Sequence, residues 1–108
     1  MEAAPCGAER KRIDVLFAAI CLDKPGHADL RLATRAEHLA FLGAHAPHVK
    51  LAGPFVDANG QATGSLLILD CADAKEAQAL LDADPYTKAG LFASVELRAW
   101  KRVLGAEL

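Results

Sequence analysis

Two segments of this chain, Ile13-Asp14-Val15-Leu16-Phe17-Ala18-Ala19-Ile20-Cys21-Leu22 and Ser65-Leu66-Leu67-Ile68-Leu69-Asp70-Cys71, are apolar at nearly every position and have the length of strands. Strands apolar on both faces belong in the middle of a sheet that is covered above and below. Neither segment approaches the roughly 20 apolar residues of a membrane span, so no membrane partner is expected. The 108 residues fit one domain, and a 53% hydrophobic content supplies a real core. That domain is read over 13–104, behind a flexible polar leader over 1–12 that lacks the apolar stretch of a secretory signal.

The remaining segments set the order of elements. Asp23-Lys24-Pro25-Gly26 is a turn cluster, and His27 to Leu32, charged and without a clear period, reads as a surface loop. Thr34-Arg35-Ala36-Glu37 has the form of a capping box, which starts a first helix at Thr34 and lets it run to Ala46, before Pro47. Val49 to Val56 is a second strand, at an edge because Pro54 cannot donate to a ladder. Asp57 to Gly64, with its Asn59-Gly60 turn, forms a hairpin loop into the third strand.

Asp73 caps a second helix with an Ala77, Leu80, Leu81 stripe, and Asp84-Pro85 reads as N-cap and N1 of a short turn ending at Gly90. Val95 to Val103 mostly alternates, as an edge strand does. The order βαββαβ predicts an α+β fold, a ferredoxin-like antiparallel sheet with both helices on one face. Two helices leave the second face of the apolar strands uncovered, which predicts a two-fold homodimer packed through it.

Composition narrows function further. A net charge of -2 with scattered basic residues gives no footprint for a phosphate backbone, so nucleic acid is not an expected partner. Cys6, Cys21 and Cys71 share no CxxC or CxxH spacing, which suggests neither a disulfide framework nor a zinc motif and fits a reducing cytoplasm. His38, His45 and His48 raise the question of a metal, but Pro47 interrupts the helix and no acidic residue has ligand spacing, so none is expected. Phosphate-loop, dinucleotide, zincin and serine-hydrolase motifs are lacking, and no cofactor is expected.

What remains is His38, on a helix face with Phe41 and Leu42, where a partly desolvated ring suits acid–base work. Asp84, at the end of the second helix, could orient it. Each also has a plainer reading: Asp84 as a simple N-cap, His38 as an ordinary helix histidine. Arg35 could bind an anionic group, and Tyr86 or Trp100 could line a pocket.

Asp23-Lys24-Pro25-Gly26, then Arg31, Arg35 and His38-Leu39, Gly53-Pro54, Asp82-Ala83-Asp84-Pro85-Tyr86 and Ala89-Gly90-Leu91 together resemble the YCII-related (YciI-like) proteins, from about Ile13 to Val103. The resemblance implies a dimeric α+β barrel, related in fold to muconolactone isomerases and cofactor-independent monooxygenases, with a His-Asp pair in a pocket. Those roles fall on His38 and Asp84. The pocket's Arg and Ser positions fall on Arg35 and Ser65, while Gly53 and Pro54 shape its wall. The expected activity is a cofactor-independent isomerase or lyase, including dehydrohalogenase chemistry, on a small hydroxylated cyclic or aromatic metabolite. The alternatives are a noncatalytic small-molecule-binding dimeric module and a dimer that serves assembly alone.

Overall fold

The computed structural model describes residues 15–106; the polar leader, Cys6 and the first two residues of the expected first strand lie outside them. The elements are β1 (Val15–Asp23), α1 (Ala28–Ala44), β2 (Val49–Val56), β3 (Ala62–Leu69), α2 (Ala74–Asp82), α3 (Pro85–Lys88) and β4 (Phe92–Lys101). They form one four-stranded sheet in the order β2-β3-β1-β4, with every pair antiparallel. This is the ferredoxin-like order expected of the two apolar strands: β1 and β3 are central, and the Pro54-bearing β2 and the charged β4 are edges.

Registers sort the side chains by face, because directly opposed residues point the same way. Phe17, Ala19 and Cys21 of β1 join Leu67 and Leu69 of β3, Cys71, and Ala77 and Leu81 of α2 in one buried cluster. Cys21 and Cys71 are thus core side chains and free thiols. The alternate residues face the other side, where Leu16 pairs with Trp100, Ile20 with Leu66, and Ile68 with Leu51. That face keeps Leu22, Leu51 and Trp100 more than 40% exposed. Among the described residues no helix is long and apolar enough to cross a membrane.

The expected loop from His27 to Leu32 is a correction. Gly26, at φ 74°, reverses the chain, and α1 begins at Ala28, with His27 as an N-cap that makes no side-chain cap bond. The Ala, Leu and Arg residues of this stretch are strong helix formers, and that local preference prevails. Thr34 is therefore no N-cap. It lies inside the helix, where its hydroxyl donates back to the Leu30 carbonyl at 2.8 Å. The stripe of α1 turned inward is Arg31, Thr34 and His38. A buried stripe of polar residues has no hydrophobic period, which is why the start of this helix is hidden in the sequence.

Smaller shifts have local causes. β3 starts at Ala62 because Thr63 and Gly64 continue the ladder, and Gly64 sits against the Cys21 carbonyl, where any Cβ would collide. The hairpin shrinks to a loop closed on the Asp57 carboxylate, which accepts from Asn59 and Gln61 amides, with Gly60 at φ 79°. β4 begins at Phe92, three residues before the alternating run.

Candidate active site

α2 ends at Asp82, and Asp84 then caps α3, accepting the Tyr86 amide at 2.9 Å, with Pro85 at N1. The cap reading of Asp84 is correct, and the pairing with His38 is also present, because one oxygen does both. Asp84 Oδ1 lies 2.9 Å from His38 Nδ1 as well. An ionised carboxylate can only accept, so Nδ1 carries the proton and Nε2 presents its lone pair. Among the described residues no hydrogen-bond partner is found for Nε2, while His38 as a whole retains 7% exposure.

Tyr86 fixes the ring from behind. Its own ring stacks on the imidazole at a 3.9 Å centroid separation and a 19° interplanar angle, and it meets Phe92 edge-on. Tyr86 is 1% exposed. Burial pushes its phenol above the ordinary value, against the pull of the Arg31 and Arg35 charges. Asp84 is equally buried, and its second oxygen, Oδ2, has no partner among the described residues.

Arg31 brings a second polar group to the same place. Its Nε and Nη2 fork onto the Asp23 carboxylate at 2.7 and 3.0 Å, Nη2 also donates to Ser65 Oγ at 2.9 Å, and its guanidinium lies 4.7 Å from the Tyr86 ring centroid. Burial, the largest single influence, pulls the guanidinium's pKa down, but the bond and charge of Asp23 together with Tyr86 outweigh it, and the charge is held more firmly than usual. A fixed cation, an imidazole with a free nitrogen and a carboxylate behind it therefore share one space between α1, α3 and the sheet.

The expected site residues separate on this frame. His38, Asp84, Tyr86 and Ser65 come together. Pro54 pairs with Ser65 and faces the site, whereas Gly53 pairs with Leu66 on the opposite face of the sheet. Arg35 is exposed, one turn along α1 from Arg31, and its charge still bears on Tyr86. Arg31 and Asp23 are the residues the sequence reading missed at this site. Their signal is the spacing of Arg31, Thr34 and His38 at i, i+3 and i+7, visible only once the helix is extended back to Ala28. The three histidines do not converge: His38 engages Asp84, whereas His45 and His48 border a separate cleft.

A YCII-related domain matches residues 15–101. The chain belongs to this family. Protein YciI of Escherichia coli O6:H1 is 37% identical over 97 residues, covering 82% of this chain and 99% of that protein, and Protein YciI of Shigella flexneri matches equally. Among solved structures, the 5-chloro-2-hydroxyhydroquinone dehydrochlorinase TftG of Burkholderia phenoliruptrix AC1100, in complex with 2,5-dihydroxybenzoquinone, is similar at a TM-score of 0.77. It is 33% identical, with 82% of this chain and 95% of that chain covered. A NIPSNAP family protein of Agrobacterium tumefaciens strain C58 shares the fold of this YCII-related chain at 17% identity and a TM-score of 0.52, with 82% and 92% covered.

Proposed function

We propose that this YCII-related protein is a cofactor-independent acid–base enzyme, an isomerase or a lyase eliminating halide or water, acting on a small hydroxylated cyclic or aromatic metabolite. The observation that carries the reading is the 2.9 Å contact of His38 Nδ1 with Asp84 Oδ1 in a buried setting, which leaves Nε2 as a base. Nε2 takes a proton from the substrate and the ring becomes an imidazolium, whose charge Asp84 balances. In an elimination the leaving group departs with its electron pair, for net loss of H–X. In an isomerisation the proton returns to another atom of the same molecule.

Arg31 and Arg35 supply positive charge for the phenolate or enolate that forms, Arg31 from a fixed position and Arg35 from the rim. Ser65 and Pro54 face the site from the sheet and Tyr86 backs the imidazole; Gly53, within the β2 ladder, acts only through the strand. The similarity to a dehydrochlorinase supports elimination from a hydroxylated ring. The apolar second face of the sheet supports a homodimer packed through it, and free buried thiols suit a cytoplasmic protein. Sedimentation of a Leu66→Asp variant as a monomer, against a dimeric parent, tests the assembly.

The function is tested with 5-chloro-2-hydroxyhydroquinone as probe, measuring chloride release against the uncatalysed background. Release that falls by about 10²-fold or more in His38→Gln is expected. Turnover unaffected by that substitution refutes the mechanism. Binding without turnover of this probe or other hydroxylated rings favours the noncatalytic module.

A further inference from the structure

Two turns beyond His38, α1 ends and the chain passes through His45 and Pro47 into β2. The junction between β3 and α2 lies against this turn: the Asp70 amide donates to the His48 carbonyl at 2.7 Å, and His48 Nδ1 donates to the Asp70 carbonyl at 2.9 Å. The two junctions border a cleft of about 260 Å³ lined by His45, His48, Cys71 and Glu76 over an apolar floor of Ala79 and Leu80. One ligand-capable atom from each of His48, Cys71 and Glu76 lies within 4.8 Å of the other two. At seven residues along α1, or about 10 Å, this cleft is separate from the His38 site.

Two of the three side chains are oriented by hydrogen bonds. His48 spends Nδ1–H on a backbone carbonyl, which fixes the tautomer with a lone pair on Nε2. Glu76 Oε1 accepts the Ala72 amide at 2.7 Å, orienting the carboxylate and leaving Oε2. Cys71 is buried at the wall of the cleft. Burial first, and then the carboxylates of Glu76, Asp70 and Asp73, keep its thiol protonated until a cation arrives; Lys50 lies 3.8 Å from Asp70 Oδ2.

We propose that His48, Cys71 and Glu76 bind a zinc ion, with water in a fourth position that faces the cleft. One nitrogen, one sulfur and one carboxylate oxygen suit this borderline-soft cation, while the thiolate disfavours magnesium and calcium. Ligands about 2.0–2.3 Å from the metal stand about 3.5 Å apart in a tetrahedron, so the observed cluster closes by about 1 Å of side-chain movement. Binding replaces the Cys71 S–H bond by S–Zn, and the proton passes to the buffer. The ion would tie the start of β2 to the start of α2.

The test uses the full chain, stripped with a chelator and titrated with Zn²⁺ by calorimetry and with Co²⁺ by absorption. One ion per chain and a thiolate-to-cobalt charge-transfer band are expected. Cys71→Ser should abolish the band, and Glu76→Gln should weaken zinc binding by about tenfold or more while keeping an oxygen for the Ala72 amide. Should Cys71→Ser fail to fold, Glu76→Gln and His48→Gln, both on partly solvated side chains, decide the matter. Absence of the band in the parent, or unchanged affinity in Glu76→Gln and His48→Gln, overturns the site.

Discussion

Replacing Asp84 by Asn is the sharpest perturbation of this molecule, because one oxygen of Asp84 serves two donors and the other serves none. In Asp84→Asn the amide oxygen can stay at the Oδ1 position and keep both the His38 and Tyr86 N–H groups, but the amide NH₂ then occupies the place of Oδ2, which is buried without a partner. That NH₂ is no worse satisfied than Oδ2 is in the parent, so the loss comes from the His38 and Tyr86 N–H donors, whose bonds to a charged oxygen exceed those to an amide oxygen by about 0.5–1.5 kcal/mol each. Flipping the amide is worse: it turns NH₂ toward the Tyr86 amide, which forfeits about 1 kcal/mol of cap and forces His38 into the other tautomer. The variant therefore keeps the geometry and loses about 1–3 kcal/mol.

For a domain of this size each kcal/mol moves Tm by about 4–8 °C, so a fall of about 5–20 °C is expected by calorimetry. Activity should fall as well. The bond from an imidazolium to a carboxylate is stronger than that to an amide by about 1–2 kcal/mol more, a difference felt only once His38 has taken a proton, and it corresponds to about tenfold in kcat. Ring ¹⁵N shifts should report His38 with its proton on Nδ1 in the parent. A melting temperature within about 1 °C of the parent, or a neutral His38 protonated on Nε2, would refute this account of the site.

Asp23→Leu alone should cost about 3–5 kcal/mol in urea unfolding, because it strands the buried Arg31 charge, whereas Arg31→Met combined with Asp23→Leu should recover most of that loss. Equal destabilisation of the single and double variants would show that the pair is not coupled. In the metal-free protein burial pushes the Cys21 thiol up from 9.0 to about 12 and the Cys71 thiol up to about 11. Folded-state values above the unfolded ones give a contribution that is whole below pH 9 and is lost as pH rises toward 11 and 12, at about 1.4 kcal/mol per unit for each thiol; Cys21→Ala should flatten that limb, and an unchanged slope counts against it. Gly64→Ala, which sets a Cβ against the Cys21 carbonyl in the central ladder, should lower stability by about 1–3 kcal/mol, and a neutral urea midpoint would show that β1 and β3 can separate there freely.

The legible parts of this fold are those whose burial is apolar. β1 and β3 announce themselves as central strands, Pro54 as an edge residue, and Asp73 and Asp84 as caps, because each follows from a local rule about hydrogen bonding or hydrophobic period. The first half of α1 follows no such rule. Its inward stripe is Arg31, Thr34 and His38, so the period that marks an amphipathic helix is absent exactly where the site is built, and Thr34 mimics a cap. Arg31 and Asp23 stand eight residues apart across a turn whose reversal at Gly26 cannot be read as geometry from the sequence. Arg35 illustrates the same limit, since it and Arg31 differ by one helical turn and only the packing of α1 decides which is buried.

The cost of this arrangement bears on what it is for. The space between α1 and the sheet, where a small domain gains most from Leu and Ile, is given over to Arg31, Thr34, His38, Ser65 and Asp84, all buried. A buried ion pair is often no better for stability than apolar residues of equal volume, and Asp84 Oδ2 adds a desolvated oxygen with no compensating bond. Stability alone thus gives no reason to retain the cluster, although α2 shows that the same sheet accepts an apolar helix through Ala77 and Leu81. What the cluster does supply is a set of polar groups held rigid in a region of low dielectric, the condition under which an imidazole and a carboxylate act most strongly on a neighbouring charge.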